Sequence, residues 1–261
     1  MNDYTKEDIV KALIEVGIKK SDNIFIHSNL GFFGKLKDAQ KSDDYCSIFK
    51  DAIFNVIGED GTLIVPTFSY SFCRGDVFDK NKTPSVCGLF SEMVRKDDKA
   101  FRSEDANFSV AAIGKNAKFL TENVPEYSFG KGSFCDRFLK LNGKFCNFNF
   151  DAASTFIHYA ERCLNVFYRF DKAFNGDVIV DGKKINKNFY HFCYDLEKKE
   201  HAPEFSVFDR VAKKLKLVKC ANLGRGQILT ITARDTFDLV ASEYEKNSWF
   251  LLKGNKVLRE L

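Results

Sequence analysis

A chain of 261 residues, 44% hydrophobic and 29% charged, has the composition of an ordinary globular protein and can bury one large core or two small ones. Its net charge of +4 is scattered, with Lys213-Lys214-Leu215-Lys216 the nearest thing to a cluster. That argues against a nucleic-acid partner and mildly favours an anionic small ligand. No run approaches the roughly 18–20 apolar residues of a membrane span, and the polar, acidic residues 1–8 are unlike a signal peptide, so a cytoplasmic protein without a membrane partner is expected.

Residues 5–16 predict a first helix, with Thr5 as cap, Glu7 and Asp8 in the first turn, and Ile9, Leu13 and Val16 as its apolar stripe. Residues 22–28 predict a buried strand that breaks into the glycine-containing loop 29–34, a shape suited to close backbone approach to a ligand. A second helix over 43–56 and a second buried strand over 61–67 complete an α-β-α-β pattern, the mark of an open α/β sheet. The long aromatic stretch 68–85, with Arg74 in its middle, reads as a functional loop. A short helix at 86–96, a polar loop at 102–109, a strand at 110–113 and a helix at 115–120 follow. Strand 143–150 then leads to the segment Ser154-Thr155-Phe156-Ile157-His158-Tyr159-Ala160-Glu161-Arg162.

Beyond residue 165 the composition shifts toward β. Residues 178–185 predict a hairpin with an Asp-Gly turn, 188–194 a strand, 204–217 and 236–246 helices, and 221–223 and 227–233 strands between them. The fold class is therefore α/β: a central mixed sheet flanked by helices, with an additional α+β C-terminal portion. A single domain over 1–261 is expected, with an N-terminal α/β part over 1–165 and a C-terminal α+β part over 166–261 that together form the site.

The chemistry centres on His158 and Glu161. Three residues apart on a helix they share a face, so the carboxylate can fix the imidazole tautomer while the imidazole takes a proton. Ser154 or Thr155 is the expected N-cap, and the positive helix end is expected to keep His158 neutral. Other chemistries fit poorly. The eight cysteines form no C-x-x-C pair and are expected to be reduced. H-E-x-x-H is absent, so no metal is expected. G-x-S-x-G is absent, so the strand-end pair His27-Ser28 is no serine-hydrolase nucleophile. Leu223-Gly224-Arg225-Gly226-Gln227 is too short for a dinucleotide fingerprint. His191 and His201 have no partner at motif spacing.

Five segments together are similar to the aminoglycoside 3-N-acetyltransferase family, which also includes acyltransferases acting on nucleotide-linked amino sugars. They are Phe25-Ile26-His27-Ser28-Asn29-Leu30; Gly61-Thr62-Leu63-Ile64-Val65-Pro66-Thr67-Phe68; Thr83-Pro84-Ser85 with Gly88; Arg102-Ser103 with Phe108-Ser109-Val110-Ala111-Ala112-Ile113-Gly114; and Thr155-Phe156-Ile157-His158-Tyr159-Ala160-Glu161. In one departure, Glu104-Asp105-Ala106 stands where the family usually has His-Pro. The resemblance implies acyl transfer from acetyl-CoA, with no metal, to a sugar amine. His158 would be the base and Glu161 its orienting acid. His27, Ser28, Asn29, Leu30 and Gly34 would line the pantetheine arm, and Ser109 would lie near the thioester. Thr155 is assigned to the acceptor side, with Tyr70 and Arg74 of the aromatic loop stacking on a base or sugar and meeting a phosphate. The chain offers no dense acidic cluster for a polycation, so a nucleotide-linked amino sugar is the preferred acceptor. An aminoglycoside is the alternative, and a non-catalytic CoA- or nucleotide-sugar-binding protein the alternative of another class. A homodimer is compatible with the sequence, which does not itself show an oligomeric state.

Overall fold

The computed structural model describes residues 3–195 and 197–255. Helix α1 (Lys6–Glu15) starts as expected: the Thr5 hydroxyl accepts from the Asp8 N–H, and the Asp8 carboxylate accepts from the Thr5 N–H. Strand β1 (Asn23–Ser28) then runs into a 3-10 turn, Leu30–Phe33, which Gly34 ends at φ 89°. The positive φ favours glycine there, and a Cβ would press on the Asp3 carboxylate. Helix α2 (Ser42–Ile57), β2 (Thr62–Pro66), β3 (Phe78–Asp79), α3 (Leu89–Arg95), β4 (Phe101–Arg102), β5 (Val110–Gly114) and α4 (Ala117–Thr121) follow.

Helix α5 (Phe134–Lys140) is absent from the sequence expectations. Its signal was present in Ser133, which caps it by accepting from the Asp136 N–H. After it come β6 (Lys144–Phe148), α6 (Ile157–Cys163), β7 (Arg169–Val180), β8 (Lys183–Tyr194), α7 (Ser206–Lys214), β9 (Lys219–Leu223), β10 (Gly226–Thr232) and α8 (Ala233–Lys246). The hairpin expected at 178–185 is the tip of a much longer one. Asp181 and Gly182 turn it at φ 50° and 75°, and the twelve-residue β7 pairs with all of β8.

Seven strands form a mixed central sheet in the order β4-β5-β2-β1-β6-β10-β9. β1 is parallel to both neighbours, β2 on one side and β6 on the other, while the remaining pairs are antiparallel. The chain thus leaves β1 for β2 in one direction and reaches β6 in the other. The carboxyl ends of strands at such a switch point leave a crevice for ligands. Register pairs His27 with Asn147 and Ser28 with Phe148 there.

Alternation along β1 divides the core into two layers. Ile24 and Ile26 pack with Leu13, Phe49 and Phe148 under α1 and α2. Phe25 packs on the opposite face with Phe138, Phe145, Phe156 and Ile157. Each fully buried Phe contributes roughly 1.5–3 kcal/mol, and His27 shares the face of Phe25, toward α6. A second sheet, β3-β7-β8, closes a small core of Phe72, Phe78, Val178 and Phe189, which anchors the long aromatic loop.

Candidate active site

Helix α6 is only seven residues long and depends on what it buries. Phe156 and Ile157 are sealed in the core, and Ala160 and Glu161 lie on the same inward face. Its entry differs from expectation. Phe156 is already helical at φ −61°, ψ −26°, and the N–H groups of Ile157 and His158 donate to the Ser154 and Thr155 carbonyls. With these donors satisfied by backbone, neither hydroxyl caps the helix, and Ser154 Oγ is buried without a hydrogen-bond partner among the described residues.

His158 Nδ1 lies 3.1 Å from Glu161 Oε2. Glu161 has no exposed surface and is surrounded by donors. The Tyr168 hydroxyl donates to Oε1 at 3.0 Å and the Tyr194 hydroxyl at 3.3 Å, while Arg169 Nη2 sits 2.8 Å from Oε2. Arg169 is itself fixed, lying 3.6 Å over the Tyr194 ring and donating to the Phe192 carbonyl. Burial would raise the Glu161 carboxyl, but the charges of Arg169 and His158 and the Tyr168 bond hold it below its usual range. Burial, then the Arg169 charge, push His158 below 6.5, against the pull of Glu161. The expected influence of the helix end thus gives way to desolvation and a neighbouring guanidinium. Arg169 Nη2 also lies 2.7 Å from His158 Nδ1. Two proton patterns follow: Nδ1–H donating to Glu161 with Nε2 bare, or Arg169 donating to Nδ1 with the proton on Nε2.

The His158 ring borders a cavity of about 400 Å³ lined also by His27, Ser28, Phe68, Cys87, Phe150, Ala153, Ser154, Thr155 and Phe205. A larger one, about 720 Å³, is lined by Ser28, Asn29, Leu30, Gly31, Gly34, Lys41 and Gly88, among others. Ser28 borders both, and Cys87 and Gly88 border one each, so the two meet across loop 28–34. The expected His27, Ser28 and Thr155 therefore lie with His158, and Asn29, Leu30 and Gly34 lie along the larger cavity.

Three expected residues reach neither cavity. Ser109 is fully buried, its hydroxyl donating to the Thr67 carbonyl at 2.7 Å. Arg102 Nε lies 3.2 Å from it, on a guanidinium that also ties down the carbonyls of Thr67, Lys80 and Thr83. Tyr70 packs against Phe68 and Phe108, and the exposed Arg74 pairs with Asp76 at 2.9 Å. The cause is common to Tyr70 and Arg74: Phe72 and Phe78 draw their loop onto β7 and β8. Conversely, Tyr168, Arg169, Tyr194 and Asn147 have no motif spacing to the His158 segment and come from β6, β8 and the start of β7, so nothing in the sequence marked them.

All eight cysteines are free, and among the described residues no group of three or more His, Cys, Asp or Glu is placed to hold a metal ion. No helix among them is long and apolar enough to cross a membrane.

A mixed α/β sheet carries a carboxylate-backed histidine in a cavity at the carboxyl end of β1, next to a larger cavity, a frame suited to a group-transfer enzyme. The chain belongs to the aminoglycoside 3-N-acetyltransferase family, which matches residues 25–245, and it is an acyl-CoA-dependent N-acetyltransferase with acetyl-CoA as cosubstrate. It is 23% identical to the SPbeta prophage-derived aminoglycoside N(3')-acetyltransferase-like protein YokD of Bacillus subtilis (strain 168), over 98% of this chain and 96% of that protein. Its fold is shared with aminoglycoside acetyltransferase AAC(3)-Xa at a TM-score of 0.80 and 20% identity, covering 93% of each chain. AAC-IIIb in a binary complex with CoASH superposes at 0.79 and 16% identity, covering 93% of this chain and 96% of that one.

Proposed function

We propose that the chain acetylates the primary amine of an amino sugar carried on a nucleotide, with His158 as general base. The observation that carries the choice of acceptor is the lining of the 400 Å³ cavity. Phe68, Phe150, Phe205 and Ala153 form its walls, no carboxylate among the described residues borders it, and Glu161 is already neutralised by Arg169. A polycation entering there would lose hydration without an anionic partner, whereas one amine at the end of a sugar needs only an imidazole.

Bound acetyl-CoA supplies an acyl carbon activated as a thioester. The larger cavity, with loop 28–34 along it and Lys41 at its side, suits a long flexible anionic donor and is assigned to it. His158 Nε2 then takes a proton from the amine, while Glu161 holds Nδ1–H and stabilises the imidazolium that forms. The pattern with Nε2 bare is assigned to the reaction: Arg169 directs its N–H to Glu161 Oε2 and keeps that carboxylate ionised, and Nδ1–H is donated to the same oxygen.

An aminoglycoside acceptor is the second reading, favoured by the family itself. Steady-state acetylation of dTDP-amino sugars against kanamycin decides between them, and turnover of kanamycin alone overturns the nucleotide-sugar assignment. In the same assay His158→Ala should lose on the order of 10²–10⁴-fold in kcat. Wild-type turnover in that variant would remove His158 as the base, and no thiol release from either protein would leave a binding protein.

A further inference from the structure

His27 is a second imidazole in the cavity of His158, and its neighbours fix its proton. Its Nδ1 lies 2.9 Å from Asn147 Oδ1. The amide cannot be reversed, because Asn147 Nδ2 donates to the Asp151 carbonyl, which can only accept. Oδ1 therefore faces His27 and also can only accept, so the His27 proton sits on Nδ1. Asn147 is fully buried, which locks the arrangement. That leaves His27 Nε2 with a bare lone pair and no partner among the described residues, on a ring that lines the cavity.

The surroundings of His27 differ from those of His158. Phe25 and Phe145 flank the ring at centroid distances of 4.7 and 6.4 Å, and its hydrogen-bond partner is a neutral carboxamide. The titratable groups facing the same cavity are His158, with Glu161 and Arg169 behind it, and the Cys87 thiol, pushed up by burial. Burial lowers the His27 imidazole below its usual value, against the Asn147 bond.

Acetylation of an amine has two protons to remove. The acceptor arrives at neutral pH as R–NH₃⁺ and leaves as R–NH–CO–CH₃. One proton must go before the nitrogen has a lone pair. The second goes as that pair forms the N–C bond and the C–S pair departs on sulfur. The sulfur takes up one proton to give CoA-SH, and the other reaches solvent.

We propose that His27 Nε2 accepts the first proton, from the acceptor ammonium, and that His158 accepts the second and returns it to the sulfur. The inference rests on the acetyl-transfer reading of this cavity. A base without a carboxylate behind it suits the first step, because its imidazolium is not retained and passes its proton to water. A carboxylate-backed base suits the second, because its imidazolium must last until the sulfur leaves.

The test is His27→Gln. With the sugar amine that the wild type acetylates, kcat/KM should fall about 10²-fold at neutral pH, and the deficit should shrink as rising pH lets solvent deprotonate the amine. With hydroxylamine, which is already unprotonated at neutral pH, variant and wild type should be alike. Equal losses with both acceptors at every pH, or a loss confined to the KM for acetyl-CoA, would overturn the proposal. Nitrogen NMR of the imidazole rings decides independently of any acceptor. His27 should carry its proton on Nδ1, and a proton on Nε2 would overturn the proposal even if no sugar amine were accepted, an outcome that by itself counts only against the assigned acceptor.

Discussion

Glu161 touches neither cavity, yet the state of the base depends on it. Its two oxygens take two tyrosine hydroxyls, one guanidinium and one imidazole. Replacing it with glutamine keeps the volume and an acceptor oxygen but removes the charge. Arg169, 2.7 Å from His158 Nδ1, is then free to donate into that atom, which moves the imidazole proton to Nε2 and abolishes the base. Glu161→Gln should therefore lower kcat by about 10³-fold or more, as losing the orienting carboxylate of a histidine base does. It also leaves a buried cation uncompensated, at a cost of about 3–5 kcal/mol, so circular dichroism must first establish that the variant is folded. A folded variant within tenfold of wild-type kcat would show that Arg169 does not set the tautomer. The pair itself was legible in the sequence, because two residues three apart on a helix share a face and can meet, as these do at 3.1 Å. Its supporting residues were not. Tyr168 lies just before β7, Arg169 begins it and Tyr194 ends β8, so it is the folded hairpin that brings Arg169 and Tyr194 together at Glu161.

Among the elements, loop 28–34 shows most plainly how sequence becomes site. A buried strand ending in His27-Ser28 and breaking at Gly31 and Gly34 predicted a loop suited to close approach, and the structure has a 3-10 turn there along the larger cavity. Gly34 holds it at φ 89° with Asp3 where a Cβ would be. Gly34→Ala should cost roughly 1–3 kcal/mol of local strain, and the loop should relieve it by shifting along the cavity wall. The expected result is a raised KM for acetyl-CoA with kcat changed less, since His158 stands on α6 and is not moved. An unchanged KM for acetyl-CoA in initial-rate measurements would detach this loop from donor binding. Other elements resisted sequence reading for physical reasons. The aromatic loop reads as a ligand platform because Tyr70 and Arg74 are polar-tipped, but Phe72 and Phe78 are worth more buried against Val178 and Phe189 than exposed to a ligand. Helix α6 reads as capped because Ser154 and Thr155 precede it, but its first turn is satisfied by backbone.

For the whole molecule, the α-β-α-β opening announced an open sheet. That β9 and β10, from the far end of the chain, pair beside β6 could not be read locally, because register between distant strands is a property of the assembled core. The fold places His27 on β1, His158 on α6 and His191 on β8 where burial disfavours their charged forms, and this couples stability to pH. His27 and His158 are lowered by burial, and so is His191, against the opposing charge of Asp105. Each is depressed below 6.5 in the folded chain and returns to it on unfolding, so below 6.5 the unfolded chain binds more protons and stability falls as pH falls. Carboxylates held by cations act lower: Glu92, held down to about 2 mainly by its bond to Arg95, contributes above 4.5 and loses that contribution only well below it. Between 6.5 and 4.5 the imidazoles dominate. His191 lines neither cavity, and among the described residues its side chain makes one hydrogen bond, accepting from Asn107 Nδ2 at 2.8 Å, which a glutamine oxygen can replace. His191→Gln should therefore flatten the decline of Tm with acidification across that window while leaving kcat at neutral pH intact. Thermal melts at several pH values across it decide the matter. A decline as steep in the variant as in the wild type would mean that this imidazole is charged in the folded chain, and that its burial is not what sets its charge.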